Sequence, residues 1–326
     1  MSGIMKDSGI EWIGEIPERW EVWRLKHLAK NPLQYGANEI GEDFSQAFPR
    51  YIRITDISSN NELKDENKLS LSPEIASEFL LDEGDILFAR SGATVGKTFY
   101  YKKEYGSSCF AGYLIRFTAN ENIMTGKFVY YYTLSNAYSE WINMIFIQAT
   151  IQNINAEKYA NLHIPVPKMN EQCRIINYLD QKCADIDKVI TAKKNQNELL
   201  KEQRQSIIYE AVTKGLDKNV KYKDSGIEWI GKIPEDWDVS KIKYITNLKS
   251  GESITAQLIE MENLYIPIPS QNTEIQKTIA DYLEQKCSDI DRIIISNNDM
   301  IIKLKEYRQS VIYEAVTGKI EVRWSE

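Results

Sequence analysis

KDSGIEWIGEIPERWEVWRLK, at Lys6–Lys26, returns as KDSGIEWIGKIPEDWDVSKIK at Lys223–Lys243. A second stretch returns as well. NLHIPVPK…YLDQKCADID…RQSIIYEAVT, from Asn161 to Thr213, reappears as NLYIPIPS…YLEQKCSDID…RQSVIYEAVT, from Asn263 to Thr317. About 130 residues separate the two stretches in the first copy and about 20 in the second. Repetition of this kind marks one structural unit used twice. Here the repeated part is a frame, and the insert it carries is large once and nearly absent once.

The rear half of each frame reads as one long helix. Seven-residue steps run through Leu179, Ile186, Lys193, Leu200 and Ile207, and again through Leu283, Ile290, Asn297, Leu304 and Val311. Both seams are apolar and both are broken by one polar residue at the same place. Ile175, Val189 and Ala211, with Ile279, Ile293 and Ala315, are expected to fill the second row. A heptad pattern sustained this long predicts a coiled coil, and the linker is long enough for an antiparallel pair. Lys193 and Asn297 are the candidates for fixing register, because a polar seam residue costs stability but specifies alignment. Asn170 is placed to cap the first helix, and Thr273 with Gln276 has capping-box spacing for the second. Gly215 and Gly318 are the expected stops. Ahead of each helix, Ile164-Pro-Val-Pro167 and Ile266-Pro-Ile-Pro269 exclude helix and predict an extended entry.

Trp20 to Tyr159 is different in kind. Short β-like runs (Tyr51–Ile57, Asp85–Arg90, Lys97–Tyr101, Gly112–Phe117) alternate with helical stretches within Thr125–Ile147, and Ser, Gly and Asn punctuate the joins. The predicted fold class is α+β: one compact α/β domain plus two long helices forming an antiparallel coiled coil.

A chain of 326 residues that is 43% hydrophobic and 27% charged is globular, with room for two cores. No apolar run approaches the ~20 residues of a membrane helix. The first residues lack the apolar core of a signal peptide, so no membrane partner and a cytoplasmic location are expected. Cys109, Cys173, Cys183 and Cys287 fit no zinc spacing, and the only histidines are His27 and His163, so no metal site is expected. The net charge of −7 weighs against a chain-wide nucleic-acid footprint. The charge is uneven, however. Asp56–Glu83 is strongly acidic, while from Gly84 to Tyr130 the bases Arg90, Lys97, Lys102, Lys103, Arg116 and Lys127 outnumber the acids. A locally basic, aromatic-rich stretch fits a small DNA footprint; it also fits a basic surface loop.

SGATVGKT at Ser91–Thr98 has one residue too few between its glycines for a phosphate-binding P-loop, and strand pattern surrounds it on both sides. What remains is a glycine-rich turn presenting Arg90, Ser91, Thr94, Lys97 and Thr98, residue types that contact phosphates and base edges. Tyr100, Lys102 and Lys103 flank it. QATIQNIN at Gln148–Asn155 supplies Gln148, Thr150, Gln152 and Asn153, and Gln and Asn pair bidentately with adenine. Its ordinary reading is a polar loop ending a helix. Catalytic signals are missing. No glycine-rich cofactor loop precedes an Asn/Asp-Pro-Pro-aromatic motif, Asn31-Pro32 is followed by Leu33, and Asp82, Glu83 and Asp85 read as a turn into a strand.

The chain resembles the specificity subunits of type I restriction-modification enzymes. The resemblance rests on SGIEWIGEIPERW (Ser8–Trp20), YIRITDI, GDILFARSGATVGK (Gly84–Lys97), the QNIN stretch, IPVPKMNEQ (Ile164–Gln172) and both YL-x-QKC-x-DID helices ending in EAVT. It implies a target-recognition domain over residues 1–160, a proline lead-in and spacer helix over 161–217, the remnant of a second recognition domain over 218–262, and a second lead-in and helix over 263–326. It also implies a non-catalytic DNA-reading subunit. Its partners are then double-stranded DNA, modification subunits and restriction subunits. No cofactor is expected on this chain; S-adenosylmethionine, ATP and Mg are expected on the partner subunits. The chain departs from the family in one large way, since Ile245–Met261 stands where the first copy has more than a hundred residues. Two outcomes follow. One is a working adaptor that reads one half-site per chain, with a homodimer restoring a symmetric target. The other is a non-reading module that holds modification subunits as a decoy, an inhibitor or a silent recombination donor.

Overall fold

The computed structural model describes residues 4–58, 61–92, 94–147, 153–245, 264–269, 273–320 and 322. The chain divides into two compact units, Met1–Asp187 with Leu304–Glu326, and Lys188–Lys303.

The repeated sequence folds the same way in both units. In the first, Met5–Asp7 pairs antiparallel with Glu15–Pro17, and Met5 faces Pro17. In the second, Tyr222–Asp224 pairs with Lys232–Pro234 in the equivalent register, Tyr222 facing Pro234. The proline lead-ins are strands, as predicted: His163–Val166 pairs with Glu21–Arg24, and Tyr265–Ile268 with Asp238–Lys241. Proline is tolerated there because each ladder has only two strands and both are edges.

The long helices span Met169–Lys214 and Thr273–Val316. Asn170 therefore lies inside the first turn, and it is the Lys168 carbonyl that takes the first amide bonds, from Glu171 and Gln172, both 2.9 Å. Thr273 is likewise the first helical residue and not the residue before it. Gly215 and Gly318 do end the helices, at φ +73° and +72°, a left-handed conformation that only glycine adopts at little cost.

In the first unit, Ile175, Ile176, Leu179 and Cys183 of the first helix share a core with Val311, Ile312, Ala315 and Val316 of the second. Asp187 and Arg308 pair at 3.5 Å across it. In the second unit Arg204 meets Asp291 at 3.7 Å, Asn197 meets Asn298 at 2.9 Å and Lys193 meets Asn297 at 3.0 Å. From Lys193 opposite Asn297 to Arg204 opposite Asp291 the numbers rise on one helix and fall on the other, which makes the pair antiparallel. Leu179, Ile186, Ile290, Asn297 and Val311 are buried, and Lys193, Leu200, Ile207, Leu283 and Leu304 are half-buried. Of the second row, Ile175, Ala211, Ile279 and Ala315 are buried as expected, but its middle lies one residue later: Val189 and Ile293 are each 45% exposed, while Ile190 is buried and Ile294 half-buried. A seam alternates steps of three and four, and the step of four from Ile186 lands on Ile190.

The insert of the first unit is built on two four-stranded sheets. One runs Gln34–Tyr35, Leu114–Phe117, Ile86–Ala89, Thr98–Tyr100 and is antiparallel throughout. The other runs Ser108–Phe110, Arg50–Ile52, Leu69–Ser70, Glu42–Asp43, with its first pair parallel. The run at Tyr51–Ile57 is only briefly a strand and turns into a 3₁₀ turn at Ile54–Asp56. Helices Gly126–Thr133 and Asn136–Ile147 occupy the stretch predicted to be helical. Trp20, Leu25, Leu28, Phe88, Phe117, Phe128, Tyr132 and Tyr159 form the fully buried centre.

The insert is held to its frame by polar side chains of the first long helix. Gln172 is fully buried; its Nε2 donates to the Ile123 and Pro167 carbonyls, and its Oε1 accepts the Thr125 amide, all at 2.9 Å. Two turns further on, Asp180 accepts from Lys127 Nζ at 2.6 Å and from the Tyr131 hydroxyl at 2.5 Å. Gln276, the residue at the Gln172 position of the second copy, is exposed. It lines an open apolar groove of about 250 Å³ with Val212, Trp237, Ile266 and Ile279.

Candidate nucleic-acid interface

The turn singled out in the sequence joins the strands Ile86–Ala89 and Thr98–Tyr100. Its ends are closed by Ala89 N–H to Lys97 O (2.8 Å) and Gly96 N–H to Ala89 O (3.0 Å). The Tyr138 hydroxyl clips the Gly96 carbonyl from behind at 2.7 Å. The second polar stretch comes back to the same place. Ser91 forms an antiparallel bridge with Asn153, and Ile154 N–H donates to Arg90 O at 2.9 Å. Ile154 is fully buried, and next to it Asn155 caps the helix Ala156–Ala160 through the Lys158 amide, 2.9 Å. Two segments about sixty residues apart in sequence thus meet side by side. Gln148, Thr150 and Gln152 lie outside the described residues.

The individual side chains are used unevenly. Ser91 is half-buried beside Asn153, and Thr94 is exposed on the turn. Arg90 is built in. Its Nη1 donates to Gly112 O at 3.4 Å and its guanidinium sits 4.9 Å over the Tyr35 ring. Lys97 reaches back to the Ile57 carbonyl at 3.1 Å and to the Ser58 carbonyl. Burial and then the nearby Lys64 charge hold its pKa below the ordinary lysine range. Thr98 faces inward, buried, with its hydroxyl on that of Thr133 at 2.8 Å. Tyr100 is half-buried against Tyr130, ring centres 5.4 Å apart, and burial followed by Glu83 pushes its hydroxyl pKa up to about 12. Lys102 and Lys103 are exposed but sit past the far end of the strand, about 16 Å along the chain from Lys97 at ~3.3 Å per residue. Lys102 is paired there with Glu104 at 3.0 Å.

Much of the basic excess read between Gly84 and Tyr130 is engaged within the fold, with Lys102 and Lys103 exposed. Arg116 bonds the Leu80 carbonyl at 2.6 Å and Gln34, and Lys127 bonds Asp180. These charges neutralise carbonyl dipoles and carboxylates and leave little free field to steer a polyanion.

Sequence reasoning missed a third segment at this place. Ala37 N–H bonds Phe110 O (2.9 Å) and Gly112 N–H bonds Ala37 O (2.7 Å), which lays residues 35–38 along 110–113. Arg90 N–H bonds Tyr113 O at 3.1 Å, so this third segment abuts the first. Asn38 and Tyr113 are exposed there, Tyr113 to 64%. The usable signal was Gly112-Tyr113 opening the strand, which was read only as part of the strand.

Comparison with known proteins agrees with this architecture. Residues 17–202 match the family described as type I restriction modification DNA specificity domain. The chain is 27% identical over 247 residues to the type I restriction enzyme MjaVIII specificity subunit of Methanocaldococcus jannaschii, covering 73% of this chain and 51% of that protein. It is 22% identical to the EcoKI specificity subunit of Escherichia coli K12, covering 73% and 50%. The chain spans about half the length of these curated relatives. A solved structure concerning assembly and conformational transition of the type I R-M system superposes with a TM-score of 0.67 at 12% identity, over 94% of this chain and 99% of that one. The HsdS subunit of Thermoanaerobacter tengcongensis gives 0.53 at 13% identity, over 94% and 98%. At these identities the structural likeness establishes the fold.

Proposed function

Because the chain belongs to the family of type I restriction modification DNA specificity domains, we propose that it is the DNA-recognition subunit of such a system, reading one half-site per chain. The observation that carries this is the convergence of residues 90–92, 112–113 and Asn153 at one end of an antiparallel sheet, in a domain whose core and clamps are complete. Amide, hydroxyl and aromatic groups held on fixed backbone suit base-edge readout. The chain itself is non-catalytic in this reading. Modification subunits carry adenine methylation with S-adenosylmethionine, and restriction subunits carry ATP- and Mg-dependent work. Since Arg90, Lys97, Arg116 and Lys127 around the turn are engaged within the fold, the chain alone should bind DNA weakly and with a shallow salt slope, and tight binding should need the partners. Two copies reading symmetric half-sites would restore a bipartite target.

The test is long-read detection of methylated adenine in cells co-expressing the chain with its modification subunit. A short or palindromic methylated motif is the expected result, palindromy indicating a dimer. No motif, with the modification subunit shown to co-purify, would sink the reading and leave a decoy that binds subunits without reading DNA.

A further inference from the structure

Arg90 stands where four segments cross. Its amide donates to Tyr113 O (3.1 Å), its carbonyl accepts from Ile154 N–H (2.9 Å) and its Nη1 donates to Gly112 O (3.4 Å). Its guanidinium lies 4.9 Å over Tyr35, whose hydroxyl in turn accepts the Ala156 amide at 3.0 Å. Its Nε is buried without a partner among the described residues. A guanidinium committed this way is a poor phosphate grip, because its donors point into the fold. It is a good strut, since the cation–π contact with Tyr35 and the carbonyl bond to Gly112 hold it from two sides.

What the strut supports is the turn at Gly112-Tyr113. The turn is tied down by Gly112 N–H to Ala37 O (2.7 Å) and Leu114 N–H to Ala111 O (2.8 Å). A Cβ on Gly112 would lie 3.3 Å from the Ala37 carbonyl oxygen and would displace the exposed Asn38 side-chain amide, so glycine lets the neighbouring segment lie close. From this fixed backbone the Tyr113 ring projects, 64% exposed, beside the exposed Asn38. A lone exposed aromatic is unremarkable on a protein surface. An aromatic on a backbone immobilised from three directions, at the meeting point of two polar segments, has the rigidity that a specific contact needs.

We propose that Tyr113 is a sequence-determining contact to double-stranded DNA, its ring meeting a base edge in the groove, and that Arg90 is the positioning residue that holds it. This rests on the DNA-recognition reading above. It assigns Arg90 the opposite role from a phosphate contact, and the two roles predict different behaviour.

The experiment compares Tyr113→Phe, Tyr113→Ala, Arg90→Lys and Arg90→Ala in the full chain co-expressed with the modification subunit, reading the methylated motif and the salt dependence of DNA binding by the purified complex. Tyr113→Phe keeps the ring and should keep the motif. Tyr113→Ala should relax one motif position, with about tenfold less discrimination there and an unchanged melting temperature. Arg90→Lys keeps the charge but loses the guanidinium, and should relax the same position with the salt slope unaltered. An unchanged motif in Tyr113→Ala, beside a defined wild-type motif, overturns this proposal and leaves the recognition reading standing. Uniform weakening by Tyr113→Phe, or Arg90→Lys matching wild type while Arg90→Ala lowers the salt slope by about one, also overturns it, in favour of phosphate contacts. Absence of any wild-type motif overturns both proposals together.

Discussion

Replacing Gln172 by alanine tests how the insert is held to its frame, and the repeat supplies the control. Gln172 makes three hydrogen bonds of 2.9 Å inside a fully buried site, to Ile123 O, Pro167 O and Thr125 N–H. At about 1 kcal/mol net for each bond, and more where a backbone group is left buried and unpaired, the truncation should cost about 3–5 kcal/mol. That is a large share of the ~5–15 kcal/mol that keeps a domain folded. Gln276→Ala changes the equivalent residue at an exposed position, where the cost should stay within ~0.5 kcal/mol. With two units in one chain a single unfolding free energy is poorly defined. Native-state hydrogen exchange read on peptides covering 121–133 and 273–283 reports each site by itself. Protection should fall by about two to nearly four orders of magnitude around residues 121–133 in Gln172→Ala and stay at the wild-type level around 273–283 in Gln276→Ala. Equal effects of the two substitutions, or a Gln172→Ala cost below about 1 kcal/mol, would show that the clamp does not hold the insert.

Two further predictions concern buried polar groups. Asn297 accepts from Lys193 (3.0 Å) and donates to Asn197 (2.9 Å), so Asn297→Ala should cost about 2 kcal/mol by hydrogen exchange of the flanking helix. Leucine at 197 and 297 together should recover most of that stability, as apolar replacement of a buried polar pair usually does, and a double variant less stable than the single one would refute this. Burial holds the Asp85 carboxyl above the ordinary carboxylate range, only partly offset by the Thr118 hydroxyl and the Asp82 amide. A raised folded pKa gives stability that is fully present below the unfolded value of about 3.9 and is lost as pH rises through the folded value. Asp85→Asn should therefore gain on wild type in urea midpoint as pH rises from about 4 toward neutrality, and a difference independent of pH would contradict the assignment.

The frame was legible because its signals are long. A duplicated strip, two proline lead-ins and five heptads each repeat the same statement, and the hairpin registers and helix stops follow it. The middle of the second row, at Val189 and Ile293, was misplaced by one residue, since a seven-residue count fixes one row and leaves the offset of the other to the alternation of three and four. Within the insert, Gln34–Tyr35, Glu42–Asp43 and Leu69–Ser70 are strands of two residues, too short to carry any period. The two polar stretches were each visible, but their adjacency is made by the Ile154–Arg90 bond, a tertiary fact. Lys97 and Thr98 illustrate a constraint that was available and unused. Successive residues entering a strand point to opposite sides, so both could not face one groove. One reaches the 57–58 carbonyls and the other is buried on Thr133.

The second unit builds both of its hairpins and a core of Ala211, Ile230, Ile233, Trp237 and Ile279 around an insert of about 20 residues, where the first spans about 130. Loop-closure entropy grows only as (3/2)RT ln n, so the longer excursion costs the ladder at its base about 1.7 kcal/mol more than the shorter one. The two-stranded ladders at Glu21–Arg24 and Asp238–Lys241 thus act as gates of nearly constant strength, indifferent to what passes between them. That indifference means that the ladder and the core beside it fold whether the stretch they enclose is long or short.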